Sequence, residues 1–196
     1  MAAATRAEAK ARLTRADWVL AGFQALLERG PDAVRVEPIA RALGATKGSF
    51  YWHFKDLRAL HAAMLDGWER LAATEVTTAV RQSDLPPREQ VFLLADRVST
   101  LPEAEVGGQG LEPAIRDWGR VDPLARDVLA RADRQRLEDL RGFLGDAGLG
   151  EAAAEQGATL FYAALIGLEA LRATTGTPMR PALRAVAEGI LGMRDM

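Results

Sequence analysis

The sequence predicts an all-α fold, and three observations predict it. Apolar residues recur at helical spacing through most of the 196 residues. Glycine and proline clusters cut these periodic segments into lengths typical of globular helices. No stretch sustains the alternation of apolar and polar residues that marks a half-buried strand. With 48% hydrophobic residues, the chain can build one sizeable core or two small ones.

The elements follow in order. Leu13, Ala16, Leu20, Phe23 and Leu27 share one helical stripe that Gly30-Pro31 ends. VEPIARALG, 36–44, reads as a short helix. Pro38 is tolerated in its first turn, and Gly44 suits a left-handed cap at its end. Thr46 can accept a backbone N–H and so start the next helix, TKGSFYWHF at 46–54. Asp56 stands at the head of a long amphipathic helix carrying Leu57, Leu60, Met64, Trp68 and Leu71 and running to about Gln82, before Pro86-Pro87. Further helices are expected at about 87–100, 112–120, 123–145, 151–174 and 180–193. GGQG (107–110), Asp122-Pro123, GDAGLG (145–150) and the segment from Gly176 to Pro181 separate them. About nine helices result, with no internal repeat.

Composition removes several chemistries. Without cysteine there is no disulfide scaffold, thiolate zinc site or cysteine nucleophile. The only histidines are His53 and His61, so a metal or catalytic histidine elsewhere is impossible. GGQG lacks the Lys-Ser/Thr of a phosphate-cradling loop, and the acidic pairs Glu103/Glu105 and Glu138/Asp139 have no supporting partners. No catalytic residue, metal or cofactor is expected. The N-terminus, MAAATRAEAKAR, has no apolar secretory core. Runs such as FYAALIGL (161–168) are shorter than the roughly 20 residues that span a bilayer. A soluble, cytoplasmic protein is expected, with no membrane partner.

Charge is unevenly divided. Residues 1–65 hold ten Lys/Arg against six Asp/Glu, and the rest hold fifteen against twenty-one. A basic module attached to an acidic one is the natural reading. The expected organisation is a flexible basic tail (1–12), a basic helical domain (13–55) and a longer acidic helical domain (56–196).

Residues 36–54 explain the basic module. Two short helices joined by a glycine-containing turn make a helix-turn-helix pattern. The second helix of such a motif can lie in a major groove about 12 Å wide. Phe50 and Phe54, four apart, share one face and can close a small core with Phe23, Ile39 and Leu43. Tyr51, Trp52 and His53 cannot then all be buried. With Lys47 and Ser49 they face phosphates and base edges, Gly48 lets the backbone approach closely, and Lys55 adds a phosphate contact.

Residues 36–60, VEPIARALGATKGSFYWHFKDLRAL, resemble the DNA-binding signature of the tetracycline-repressor (TetR/AcrR) family of bacterial transcriptional regulators, a likeness that covers about 13–65. The resemblance implies homodimers on palindromic double-stranded operators, with a C-terminal domain that holds a small-molecule pocket and the dimer interface. Effector binding there moves the long connecting helix and releases the DNA. The family's DNA-contacting positions fall on Thr46, Lys47, Gly48, Ser49, Tyr51, Trp52, His53 and Lys55. Ala45 replaces a frequent valine. Arg35 replaces a frequent Ser/Thr cap, where it can bind phosphate instead.

The acidic half carries less signal. Trp68, Trp118, Phe143, Phe161 and Tyr162 are core rings or pocket walls, and Glu112, Arg116, Asp117 and the Tyr162 hydroxyl are candidate polar groups of a pocket. Gly157, Leu160, Ala164, Leu168 and Leu171, with Val186 and Ile190 on the last helix, form either an intrachain packing face or a four-helix dimer interface; the resemblance favours the dimer. The expected function is a ligand-released repressor. The alternatives are an all-α small-molecule-binding protein or a non-specific DNA-binding protein.

Overall fold

A computed structural model describes residues 13–70, 75–100 and 110–193. Among them it forms ten α-helices, one 3₁₀ turn and no strand. The order is α1 (Arg15–Arg29), the 3₁₀ turn (Pro31–Ala33), α2 (Val36–Ala42), α3 (Lys47–His53), α4 (Leu57–Glu69), α5 (Val76–Arg81), α6 (Pro87–Ser99), α7 (Leu111–Val121), α8 (Pro123–Asp146), α9 (Glu151–Thr175) and α10 (Met179–Leu191). The helix expected over 56–82 corresponds to α4 and α5, on either side of residues 71–74, which lie outside the described residues with Leu71 among them. The tail at 1–12, Glu103, Glu105 and the first three residues of GGQG also lie outside them.

Side-chain caps start the helices where the sequence places them. Thr14 and Asp17 form a reciprocal capping box at α1: the Thr14 N–H donates to Asp17 Oδ2 (2.6 Å), and Thr14 Oγ1 accepts from the Asp17 N–H (3.3 Å). Thr46 Oγ1 accepts from the Ser49 N–H at 3.2 Å and starts α3. Asp56 Oδ1 accepts from the Ala59 N–H at 2.8 Å and starts α4. Gly44, at φ 59°, turns the chain between α2 and α3 in a backbone region closed to most residues.

Two cores result. The first joins Trp18, Phe23, Ile39, Phe50, Phe54 and Met64 to Ile115 and Trp118 of α7 and to Ala125, Val128 and Ala132 of α8. The second joins Val80, Leu94, Phe143, Phe161, Leu183 and Ile190 across α5, α6, the second half of α8, α9 and α10. At 24 residues, α8 is long enough to serve both. The stripe expected on α1 needs correction. Phe23 is buried, but with Trp18, Ala21 and Leu26, while Leu20 and Leu27 remain exposed. Both stripes have helical period. The large Trp18 ring and Gly22, whose missing Cβ leaves room for the Met64 thioether, decide which one turns inward.

At the centre of the second core, α9 meets α10 at Gly157. A Cβ on this residue would lie 2.6 Å from Ile190 Cγ2 and 3.0 Å from Leu144 Cδ1. Ile190 is β-branched and buried, so it has little freedom to give way. Gly157→Ala should therefore destabilise the fold by about 1–3 kcal/mol, read as a lower midpoint in urea unfolding.

Candidate nucleic-acid interface and the polar cluster behind it

α3 has only seven residues, too few to persist as an isolated helix. Packing fixes it. Phe50 meets Trp18 edge to face at 5.3 Å between centroids and stacks on Phe54 at 5.4 Å. The Arg15 guanidinium covers the Phe54 ring at 4.8 Å. With positions 50 and 54 inward, helical geometry turns positions 51 and 52 outward. Tyr51 is 59% exposed and Trp52 is 83% exposed. Thr46, Lys47, Gly48 and Lys55 are exposed, and Ser49 is half-buried. His53 is also half-buried, its ring 6.5 Å from that of Trp18, so it sits at the rim of the core. A Cβ on Gly48 would meet only Thr46 Oγ1, at an ordinary 3.6 Å. Nothing near it in the protein requires a glycine there.

Two of the candidate cations have acidic partners. Lys47 Nζ pairs with a Glu37 carboxyl oxygen across the α2–α3 turn. The pair raises the Lys47 pKa and lowers that of Glu37. Arg35 caps α2 without a side-chain hydrogen bond, and its guanidinium stands 3.8 Å from Asp32.

Behind the first core lies a cluster that the sequence reading found only in part. Glu112 and Arg116 of α7 and Tyr162 of α9 come together there, and Asp133 and Arg136 of α8 join them. Arg116 donates to both Asp133 oxygens, at 2.8 and 3.2 Å. Arg136 donates to both Glu112 oxygens, at 2.9 Å each. The Tyr162 hydroxyl accepts from Arg116 at 2.8 Å and Arg136 at 2.6 Å, and donates to Asp133 Oδ1 at 2.6 Å. Arg136 also lies 5.3 Å over the Trp68 ring of α4. Burial works against both guanidinium charges, but the carboxylates outweigh it and raise both arginine pKa values. Burial raises the Tyr162 hydroxyl pKa as well. The i, i+3 pair Asp133/Arg136 looks like a solvated face in sequence, and the i, i+4 pair Glu112/Arg116 carries no sequence sign of its partners on α8. Only the crossing of α7, α8 and α9 buries them.

The other proposed pocket residues lie elsewhere. Trp118 belongs to the first core, edge-on to His61 at 4.9 Å, because it shares the buried face of α7 with Ile115. His61 itself reaches the Val34 carbonyl at 3.2 Å, and its burial lowers its pKa. Asp117, on the opposite face of α7, is exposed 3.7 Å from Arg120. Phe143 and Phe161 are packed in the second core. Of the proposed dimer residues, Gly157 and Ile190 are consumed by packing on each other. Leu160 (53%) and Leu171 (49%) are exposed, and Ala164, Leu168 and Val186 are half-buried. No group of three or more His, Asp or Glu residues placed to hold a metal occurs among the described residues. No helix among them is long and apolar enough to cross a membrane.

Glu169, on α9 beside the cluster, was missed by the sequence reading. Burial, and then the Glu112 charge, push its pKa up to about 7 from 4.5. The folded protein therefore holds this proton at pH values where the unfolded chain has lost it. Stability falls as pH rises from 4.5 through 7. Glu169→Gln should be more stable than the parent at pH 8 by about 1–3 kcal/mol and little different at pH 4, measured by urea unfolding at both.

Comparisons with known proteins agree with this architecture. Residues 19–64, which hold most of α1, the turn, α2, α3 and the first part of α4, match the model of the bacterial regulatory proteins of the tetR family. No curated protein matches the sequence. Among solved structures, a TetR transcriptional regulator from Legionella pneumophila is similar at a TM-score of 0.73 and 18% identity, over 91% of this chain and 95% of that one. A TetR-family transcriptional regulator from Streptomyces coelicolor is similar at 0.73 and 21% identity, over 90% and 87%. A transcriptional regulator from Rhodococcus is similar at 0.73 and 19% identity, over 92% and 95%. At these identities the likeness is one of fold, and it extends over nearly the whole of each chain. The N-terminal module matches that of the tetR family of bacterial regulatory proteins, and the chain as a whole has the fold of the solved transcriptional regulators it resembles.

Proposed function

We propose that the protein is a sequence-specific, cytoplasmic, homodimeric transcriptional repressor that a small-molecule effector releases from a palindromic operator. The observation that carries this reading is the outward face of α3: a tyrosine and a tryptophan in water, beside a lysine and a glycine that no internal packing requires. Arg35, Thr46, Lys47, Gly48, Ser49, Tyr51, Trp52, His53 and Lys55 are assigned to the DNA. The hydroxyls, N–H groups and cations bind phosphates, and the rings bind sugar and thymine methyl groups. No residue is assigned to catalysis.

Switching is assigned to the C-terminal half. Two recognition helices of a dimer fit successive major grooves about 34 Å apart. Trp68 of α4, under Arg136, ties the helix that follows the DNA-binding module to the polar cluster. An effector that binds the two arrangements of α4 unequally shifts the dimer away from operator spacing, with a coupling of about 1–3 kcal/mol. The dimer face is assigned to Leu160, Ala164, Leu168 and Leu171 of α9 with Val186 of α10, and Gly157 and Ile190 drop out of it.

Purified protein should bind the DNA flanking its own gene in the presence of excess random competitor, at two salt concentrations. Tyr51→Ala should weaken that binding by about tenfold while leaving the unfolding midpoint unchanged. Loss of binding to competitor, or equal binding by the variant, would overturn sequence-specific recognition. The double substitution Leu160→Glu and Leu171→Glu should convert a dimer to a folded monomer in sedimentation. A dimer that persists would move the interface elsewhere.

A further inference from the structure

The residues assigned to the DNA all lie between 35 and 55, but a cation from α1 stands at the end of the same recognition element. Arg15, the first residue of α1, is exposed, and its guanidinium lies 4.8 Å from the centre of the Phe54 ring. Phe54 caps the C-terminal end of α3 and is followed by Lys55, itself exposed. Packing fixes this placement. Trp18, one turn along α1 from Arg15, meets Phe50 edge to face, and its ring stands 6.5 Å from that of His53. The first turn of α1 therefore abuts the second half of α3. The charge of Arg15 is not neutralised there. Lys47 pairs with Glu37 and Arg35 stands 3.8 Å from Asp32, whereas no ion pair joins Arg15 to a carboxylate among the described residues. Asp17, the nearest acid in sequence, is committed to Thr14 in the capping box. A guanidinium that covers a ring uses its face and keeps its N–H donors at its edge, which suits a phosphate.

From this arrangement we infer that Arg15 is a further phosphate-binding residue: α1 supplies a guanidinium, mounted on Phe54, that fastens the C-terminal end of α3 to the DNA backbone. This rests on the DNA-binding reading above. Thr46 and Lys47 stand at the start of α3, and Lys55 and Arg15 at its end, so the helix is held at both ends with Tyr51 and Trp52 between them. Such contacts carry no sequence information but fix the orientation of the element that reads the bases. Operator and random duplex receive the contact alike.

The test uses the full chain with two duplexes, the operator fragment and a random sequence of equal length, titrated between about 50 and 200 mM salt. Arg15→Gln should weaken binding to both by a similar factor and flatten the log–log salt slope by about 0.9 for each protomer. For a dimer, the affinity lost over this fourfold salt range then shrinks by roughly twelvefold. The urea midpoint should change little. Arg15→Lys should keep the parent slope, because a point charge still displaces a counterion. Weaker binding with an unchanged slope would reduce Arg15 to a cover for Phe54 and overturn the inference. Loss on the operator alone would overturn it too, by making Arg15 a base contact. If Arg15→Gln lowers the urea midpoint, Arg15→Met, which keeps an apolar stem over Phe54, carries the same slope prediction. Failure of the parent protein to bind either duplex would defeat the DNA-binding reading itself.

Discussion

The N-terminal module depends on one aromatic contact, Phe50 against Trp18. A two-turn helix cannot hold its own shape in water, because nucleation costs more than so few hydrogen bonds return. Burial of Phe50 and Phe54 supplies what the backbone lacks, at about 1.5–3 kcal/mol for each large apolar side chain taken fully out of water. The same contact fixes rotation as well as existence. Once positions 50 and 54 are inside, no rotation of α3 hides Tyr51 and Trp52. The outward face is thus a geometric consequence of the inward one. The arrangement has one evident cost, since Trp18 Nε1 is buried without a hydrogen-bond partner.

The C-terminal half is organised around charge instead. Five polar side chains from α7, α8 and α9 satisfy one another nearly completely, and the Tyr162 hydroxyl uses both its lone pairs and its proton. Such a network does not need to add stability to matter. Buried ion pairs roughly break even against apolar packing, but removing one member strands the others. The cluster therefore favours a single relative placement of its three helices. Arg136 extends that placement to Trp68 on α4, so a change in how α7, α8 and α9 cross is felt by the helix that follows the DNA-binding module.

The N-terminal third was legible in sequence because its constraints are local. A Thr cap, a Gly turn and a pair of phenylalanines four apart each act within a few residues, and all three agree with the structure. Where the signal was a choice between equivalent stripes, as on α1, periodicity alone could not decide. Leu20 looked as suitable as Trp18 until α4 supplied Met64 to fill the notch at Gly22. The polar cluster was half legible. Glu112, Arg116 and Tyr162 stood out as polar groups among apolar neighbours, while Asp133 and Arg136 sit in a highly charged helix where nothing marks two residues out of many. Glu169 was invisible, because its proton affinity comes from burial and a neighbour 57 positions away. Gly157 and Ile190 were recognised as interface residues, but which interface depends on how α10 returns along α9.

The four tryptophans are distributed unequally between protein and water. Trp18, Trp68 and Trp118 are almost fully enclosed, and Trp52 stands in solvent on α3. A collisional quencher dissolved in water therefore reaches one indole and not the other three. The quenchable fraction of the intrinsic fluorescence belongs to α3 alone, and the shielded fraction belongs to the interior. The chain carries an unlabelled optical probe at the surface where its function is proposed to lie, with three internal references against which to read it.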